Sequence, residues 1–127
     1  MGDYPKALSY DEKAVAIRQQ SLPPNHPGLA SFYYNIGSEY YNMGDYPKAL
    51  SYYDKHLAIS QQSLPPNHPS LALSYNNIGS VYGNMGEHSK ARPYFERAVD
   101  IGQQSLPTNH PHLQLYRKNL ELVKKKL

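Results

Sequence analysis

Apolar residues recur at helical spacing along the chain, in two patterns that alternate. The first begins at DYPKALSY, and its predicted apolar face consists of Ala7, Leu8, Tyr10, Ala14, Val15 and Ile17. The second runs through LASFYYNIGSEYYNM and stops at Gly44, a residue type that commonly ends helices. No segment alternates apolar and polar residues with a period of two over a useful length. The pattern therefore predicts an all-α protein.

Capping residues and prolines set the predicted helix boundaries. Asp3 and Asp45 are placed to cap the first pattern, and Asn25 can cap the second. The pair Pro23-Pro24 ends the first pattern, because proline removes a backbone donor and restricts the residue before it. Applied to the whole chain, these signals predict six helices, at 3–21, 27–43, 45–63, 69–85, 88–105 and 111–126.

The two patterns together form a repeat of 42 residues. Residues 3–44 and 45–86 match at 31 of 42 positions, and a more diverged copy occupies 87–127. A period of this size is typical of stacked supersecondary units that cannot bury their apolar faces alone. With short connections, neighbouring helices should be antiparallel. We expect one solenoid domain over residues 1–127, with a concave and a convex face.

Two glycines lie inside predicted helices, where glycine costs about 1 kcal/mol relative to alanine. Gly37 and Gly79 are tolerable there if another helix backbone comes very close. Ala49 and Ala91, each twelve residues later on the next helix, are the predicted partners.

These positions resemble the consensus of tetratricopeptide repeats, and the 42-residue length is similar to the repeats of kinesin light chain. The resemblance implies a right-handed superhelical α-solenoid. His56 departs from the pattern, since a small residue is expected there, and Asp11 stands at an aromatic position. His56 is either a tolerated substitution or a pH-sensitive position. The matching residues are Tyr33, Ile36, Gly37, Tyr40, Ala49 and Tyr53, then Tyr75, Ile78, Gly79, Tyr82, Ala91, Phe95 and Ala98.

In tetratricopeptide proteins the first helix of each repeat lines a concave groove that holds peptides. The resemblance therefore implies a groove here that is rich in asparagine, whose amide both donates to and accepts from an extended backbone. The alternative is that these residues are merely the polar faces of amphipathic helices. The implied positions are Ser31, Tyr34, Asn35, Ser38, Tyr41, Asn42, Leu73, Asn76, Asn77, Ser80, Asn84 and Lys118, with Asn119, Leu122 and Lys125 beside Lys118.

Composition and charge exclude several classes of protein. Without cysteine the chain forms no disulfide or thiolate metal site, and no apolar run approaches the roughly 20 residues of a membrane span. The net charge of +3 comes from residues 117–127, which hold five Lys/Arg against one acid, whereas residues 1–116 hold eight against nine. That placement favours a solvated terminal cap over a nucleic-acid surface. We expect a cytoplasmic protein that binds neither nucleic acid nor membrane.

Candidate catalytic and metal-binding residues are sparse. His26, His68 and His110 recur at the repeat period, one solenoid step apart, which is too far for one metal ion. Loop or capping roles explain them better. No nucleophile, acid and base come together in a way that catalysis requires. We expect no enzyme activity, no cofactor and no metal.

The sequence thus favours a scaffold that binds a protein or peptide, and the alternative is a structural or designed repeat with no evolved ligand. A monomer is expected, because Asp11 and Glu121 replace packing residues at the two ends. Head-to-tail association is the alternative, since Asp11 and Lys124 carry opposite charges at positions that would face each other.

Overall fold

The computed structural model of the protein describes residues 4–23 and 26–127. Within those ranges all regular structure is helical, and no strand occurs. The prediction of an all-α protein is therefore confirmed. The elements are α1 (Tyr4–Ser21), a 3-10 turn (Pro27–Leu29), α2 (Ala30–Asn42), α3 (Tyr46–Ser63), α4 (Pro69–Asn84), α5 (His88–Ser105) and α6 (Pro111–Lys126).

The predicted boundaries agree with these helices to within one residue, except at the start of α2. The predicted apolar face of α1 is wrong at Tyr10 and Ile17, which are 64% and 67% exposed. The expected helix over 27–43 opens with the 3-10 turn, in which the Leu29 N–H donates to the His26 carbonyl at 2.9 Å. At the start of α3, the Asp45 carboxylate accepts the Lys48 N–H at 3.4 Å, a long version of the expected cap. The caps expected from Asp3 and Asn25 lie outside the described residues.

Gly44 and Gly86 end α2 and α4, as the sequence predicts for Gly44. Their φ angles of 82° and 79° lie in the left-handed region that glycine adopts without a Cβ penalty. After each glycine, the next N–H turns back to a helix carbonyl; that of Asp45 reaches Tyr40 at 2.9 Å. The glycine N–H also donates to a helix carbonyl, as that of Gly44 does to Tyr41 at 3.0 Å. These two hydrogen bonds close the helix end, and the next helix starts after a very short connection.

The chain divides into two compact units, Met1–Ser63 and Leu64–Leu127. The division falls in the loop after α3, inside the second sequence repeat rather than at Gly44 or Gly86. In the first unit α2 packs against both α1 and α3, and in the second α5 packs against both α4 and α6. The single domain over 1–127 stays a prediction.

Within each unit an aromatic ring lies against a helix glycine. A Cβ on Gly37 would stand 2.8 Å from Cδ1 of Tyr53, and one on Gly79 would stand 2.9 Å from Cδ1 of Phe95. The predicted close approach exists, but its main partner is the ring sixteen residues later. The alanines, Ala49 included, are fully buried beside it, and the Ala49 carbonyl oxygen is 3.3 Å from the added Cβ.

A second aromatic contact, which the sequence analysis did not identify, links the same helices. The Tyr52 ring of α3 lies between Tyr33 and Tyr40 of α2, with centroids 6.1 and 5.7 Å away. The Lys55 ammonium lies 5.1 Å from the centroid of Tyr52, within cation–π range. The second unit repeats the arrangement with Tyr94 between Tyr75 and Tyr82, at 6.2 and 5.6 Å, and with Arg97 over Tyr75.

The ring-on-glycine contact predicts a strong asymmetry between two glycines of α4. Gly79→Leu should lower the free energy of unfolding by about 1–3 kcal/mol, because the new side chain overpacks against Phe95. Gly83→Ala is the matched control, since a Cβ there meets nothing within 4 Å. It should cost nothing and gain up to about 1 kcal/mol of helix propensity. Urea unfolding measures both; equal stability of the two variants would contradict the helix-pair geometry.

Candidate functional site

Three histidines begin the 3-10 turn before α2 and the helices α4 and α6. In each, Nδ1 accepts a backbone N–H two residues later, which satisfies a donor that helix geometry leaves open. An Nδ1 that accepts carries no proton, so these rings act as caps in their neutral form. The pairs are His26 with Gly28 at 2.9 Å, His68 with Ser70 at 3.1 Å and His110 with His112 at 3.0 Å.

The capping geometry agrees with the predicted cap role and leaves no metal cluster around these rings. Across residues 4–23 and 26–127, no group of three or more His, Cys, Asp or Glu side chains could hold a metal ion. His110 and His112 are close, with ring centroids 5.0 Å apart, but they meet edge to face. These two rings therefore form an aromatic contact.

The expected groove positions of the first unit lie on α2. Ser31, Asn35 and Asn42 are exposed, whereas the rings of Tyr34 and Tyr41 are half-buried. The Tyr34 ring packs on Tyr53 and His56 of α3, with centroids 5.8 and 5.2 Å away, and Tyr41 packs on Tyr46 at 5.7 Å. α3 therefore supports the aromatic part of this face from behind.

Ser38, another expected groove residue, is tied to the ring-on-glycine contact. Its hydroxyl lies 2.8 Å from the Tyr53 hydroxyl, so the two form a hydrogen bond. Burial raises the pKa of Tyr53 to about 12, although the Ser38 bond acts in the opposite direction. The phenol is therefore neutral in physiological buffers, and Ser38 helps to position the ring.

His56 makes a specific bond that the repeat pattern does not indicate. Its Nδ1 lies 2.9 Å from the Ala30 carbonyl oxygen at the start of α2. A carbonyl only accepts, so Nδ1 carries the proton in this contact. Burial lowers the pKa of His56, and the bond to Ala30 opposes this shift only in part. His56 is therefore a neutral side chain that joins α3 to the start of α2.

The expected groove positions of the second unit lie on α4 and α6. Asn76 is only 4% exposed, because Asn119 of α6 donates its Nδ2 proton to the Asn76 Oδ1 at 2.9 Å. Asn84 donates to the Ser80 carbonyl at 2.8 Å within α4. The remaining positions are partly or fully accessible: Leu73, Asn77 and Ser80 are half-buried, and Lys118 is exposed.

One edge of α6 alternates leucine and lysine. Leu115 and Leu122 are 44% and 49% exposed, and Lys118 and Lys125 are exposed between and after them. Spacings of three and four residues place all four on one side of the helix. Leu115 was missed by the sequence analysis, although the repeat places it at the position of the predicted residue Leu73.

Within residues 4–23 and 26–127, no helix combines the length and the apolar composition needed to cross a bilayer.

Each unit contains a helical hairpin whose two helices meet at a glycine. Repeated hairpins of this kind define the α-solenoid class of proteins. A family model for the tetratricopeptide repeat matches residues 1–62 and 32–104. The chain belongs to the tetratricopeptide repeat family.

Solved structures with similar folds include the repeats of a protein assigned as a kinesin light chain and the protein BtubC. The TPR-like repeats of a protein assigned as a kinesin light chain in Podosopora anserina have a TM-score of 0.81 at 23% identity, over 98% of this chain and 59% of theirs. BtubC (BKLC) from P. vanneervenii has a TM-score of 0.83 at 23% identity, over 98% and 49%. The chain thus spans about half to three-fifths of the length of these two proteins.

A more distant fold relative is the N-terminal domain of stress-induced protein-1 from C. elegans. It has a TM-score of 0.58 at 15% identity, over 95% of this chain and 99% of that domain. The search among curated protein sequences found no match. At these identities the structural likeness establishes the fold.

The histidine caps generate a prediction for the second unit. His68→Ala removes the acceptor for the Ser70 N–H and should lower the free energy of unfolding by about 0.5–2 kcal/mol. His68→Asn is the matched control, since asparagine is among the best N-cap residues and should restore most of that loss. Thermal melts of both variants check this. An alanine variant as stable as the asparagine variant would show that His68 does not stabilise the helix as a cap.

Proposed function

We propose that this chain is a protein-interaction module that binds an extended peptide or partner segment on the α2 face of its first unit and on the α4 and α6 faces of its second. Tetratricopeptide repeats are generally non-enzymatic protein-interaction scaffolds, which supports the broader part of the proposal. A cytoplasmic location stays a prediction from the sequence.

The observation that carries the proposal is the placement of two equivalent amides. Asn35 is exposed on α2, and Asn77, 42 residues later, is half-buried at the corresponding position of α4. A side-chain amide offers both a donor and an acceptor, and that combination suits the alternating N–H and C=O groups of an extended peptide. Each unit thus presents one amide of the same kind from a rigid helix.

Differences between the two units at the neighbouring positions also support a ligand. On α2 the other proposed positions include the rings of Tyr34 and Tyr41, which pack on α3, whereas the second unit has Leu122 and Lys118 on α6. A partner segment with aromatic or aliphatic side chains suits both faces. The competing hypothesis, a repeat scaffold with no ligand, draws on the near identity of the copies and on the packing role of Asn76.

A peptide-array screen with the intact chain, followed by calorimetric titration of the selected peptide, tests the proposal. Asn35→Ala and Asn77→Ala should each weaken binding by about 0.5–1.5 kcal/mol, which is roughly 2- to 13-fold, through loss of hydrogen bonds to the peptide. The thermal melt of Asn35→Ala should change little, since Asn35 is exposed.

Lys90→Ala is the control, because Lys90 is exposed on α5, a helix that carries none of the proposed contact positions. It should leave affinity unchanged. Stronger weakening by the control than by the asparagine variants would overturn the placement of the site. An array without a binding peptide would favour the ligand-free scaffold.

We also infer that the chain is a monomer. In the second unit the Gly79 position faces Phe95, and the repeat puts Glu121 of α6 and Asp11 of α1 at those two positions. Docking α6 of one copy on α1 of another would therefore oppose two carboxylates. Lys124 is already within 4.0 Å of Glu121 on its own helix, which reduces the attraction it offers to Asp11.

Light scattering across a concentration series tests the monomer inference. A constant mass near 14.4 kDa is expected. A mass that rises with concentration in the parent chain and falls again in Lys124→Glu would show head-to-tail association through attraction between Lys124 and Asp11.

A further inference from the structure

The junction between α1 and α2 differs chemically from its counterpart in the second unit. There, α6 joins α5 through an apolar cluster of Val123, Phe95 and Ala91. The repeat puts Asp11 at the position of Phe95 and Glu39 at the position of Val123. The first unit therefore builds the same helix junction around two carboxyl groups.

Ionisation of Glu39 is unfavourable at this junction. A carboxyl donates a hydrogen bond only when it is protonated, and Glu39 has the acidic side chains of Asp11 and Glu12 as its neighbours. Burial, followed by the bond and charge of Asp11 and the charge of Glu12, raises the pKa of Glu39 to about 8. The buried Oε2 of Glu39 has no hydrogen-bond partner, which adds to the cost of ionising it.

Other titratable and charged groups lie around this junction on α1, α2 and α3. Glu12 of α1 accepts a bond from the Tyr40 hydroxyl of α2 at 3.4 Å. Burial and the charge of Glu12 raise the pKa values of Tyr40 and of Tyr52 on α3, so both phenols are neutral. The Lys48 ammonium of α3 lies 5.4 Å from the Tyr40 ring centroid, but it is also 3.9 Å from Asp45, which shares its charge.

We propose that the α1–α2 junction is a proton-linked device: α1 is held on α2 while the Glu39 carboxyl carries its proton, and it loosens as Glu39 ionises. The proposal does not depend on peptide binding. It identifies α1 as the element whose docking responds to pH, while the apolar α5–α6 junction does not.

The direction of the pH dependence follows from the raised pKa of Glu39. A carboxyl that binds its proton more tightly in the docked state stabilises docking fully below its ordinary pKa of 4.5 and loses this effect as the pH rises through about 8. Between those values the docked state holds up to one extra proton. The docking equilibrium constant should therefore fall by at most about tenfold per pH unit.

Amide hydrogen exchange of the intact chain from pH 5 to 9, corrected for the intrinsic exchange rate, measures this equilibrium. In the parent chain, protection of α1 should fall as the pH rises, while that of α6, whose junction with α5 is apolar, should not fall. Glu39→Gln mimics the protonated carboxyl, because its amide donates to Asp11 at every pH. It should make the protection of α1 independent of pH.

Glu121→Gln is the matched control, since Glu121 is an exposed acid on α6. It should leave the pH slope of α1 as in the parent chain. The double variant Asp11→Phe with Glu39→Val installs the apolar junction and should also abolish the slope. A flat profile in the parent chain, or an unchanged slope in Glu39→Gln, would overturn the proposal.

Discussion

The contact between an aromatic ring and a helix glycine is the constraint on which each unit depends. With no Cβ on Gly37 or Gly79, the neighbouring helix approaches until its ring lies against the backbone. That distance in turn brings Tyr52 and Tyr94 between the tyrosines of the facing helix. Further along, a left-handed glycine ends the first helix and starts the second at the separation this contact needs. Helix propensity is thus given up at one position to gain close packing along the pair.

Much of this fold could be predicted from the sequence, because the repeat states each signal more than once. Gly44 and Gly86 terminate helices in two copies, so the boundary does not depend on a single residue. Details that require atomic geometry could not be predicted. Asparagine is a better-known N-cap than histidine, and the sequence His-Pro does not reveal that Nδ1 of His68 faces the helix start. Likewise, the sequence analysis assigned the close contact with Gly79 to the small residue Ala91, whereas the ring of Phe95 makes it.

The candidate site was harder to predict than the fold. A groove position is defined by one helix, but its accessibility depends on the helix that follows. Asn76 and Asn77 are neighbours in sequence, yet α6 covers Asn76 and leaves Asn77 partly accessible. His56 illustrates the same limit, since its bond to Ala30 joins residues 26 positions apart. Polar residues at packing positions therefore gain their meaning from partners that a repeat consensus does not contain.

Near-identical repeats carry a risk of pairing with the wrong copy while they fold, a known failure of repeat proteins. The hydrogen bond from the Asn119 side-chain amide to that of Asn76 discriminates between such pairings. On α2 the position of Asn76 is occupied by Tyr34, which offers no amide oxygen to Asn119. A chain that placed α6 beside α2 would therefore bury an amide without its acceptor. The small sequence differences among the copies thus favour the native pairing of helices over pairing with an equivalent helix of another repeat.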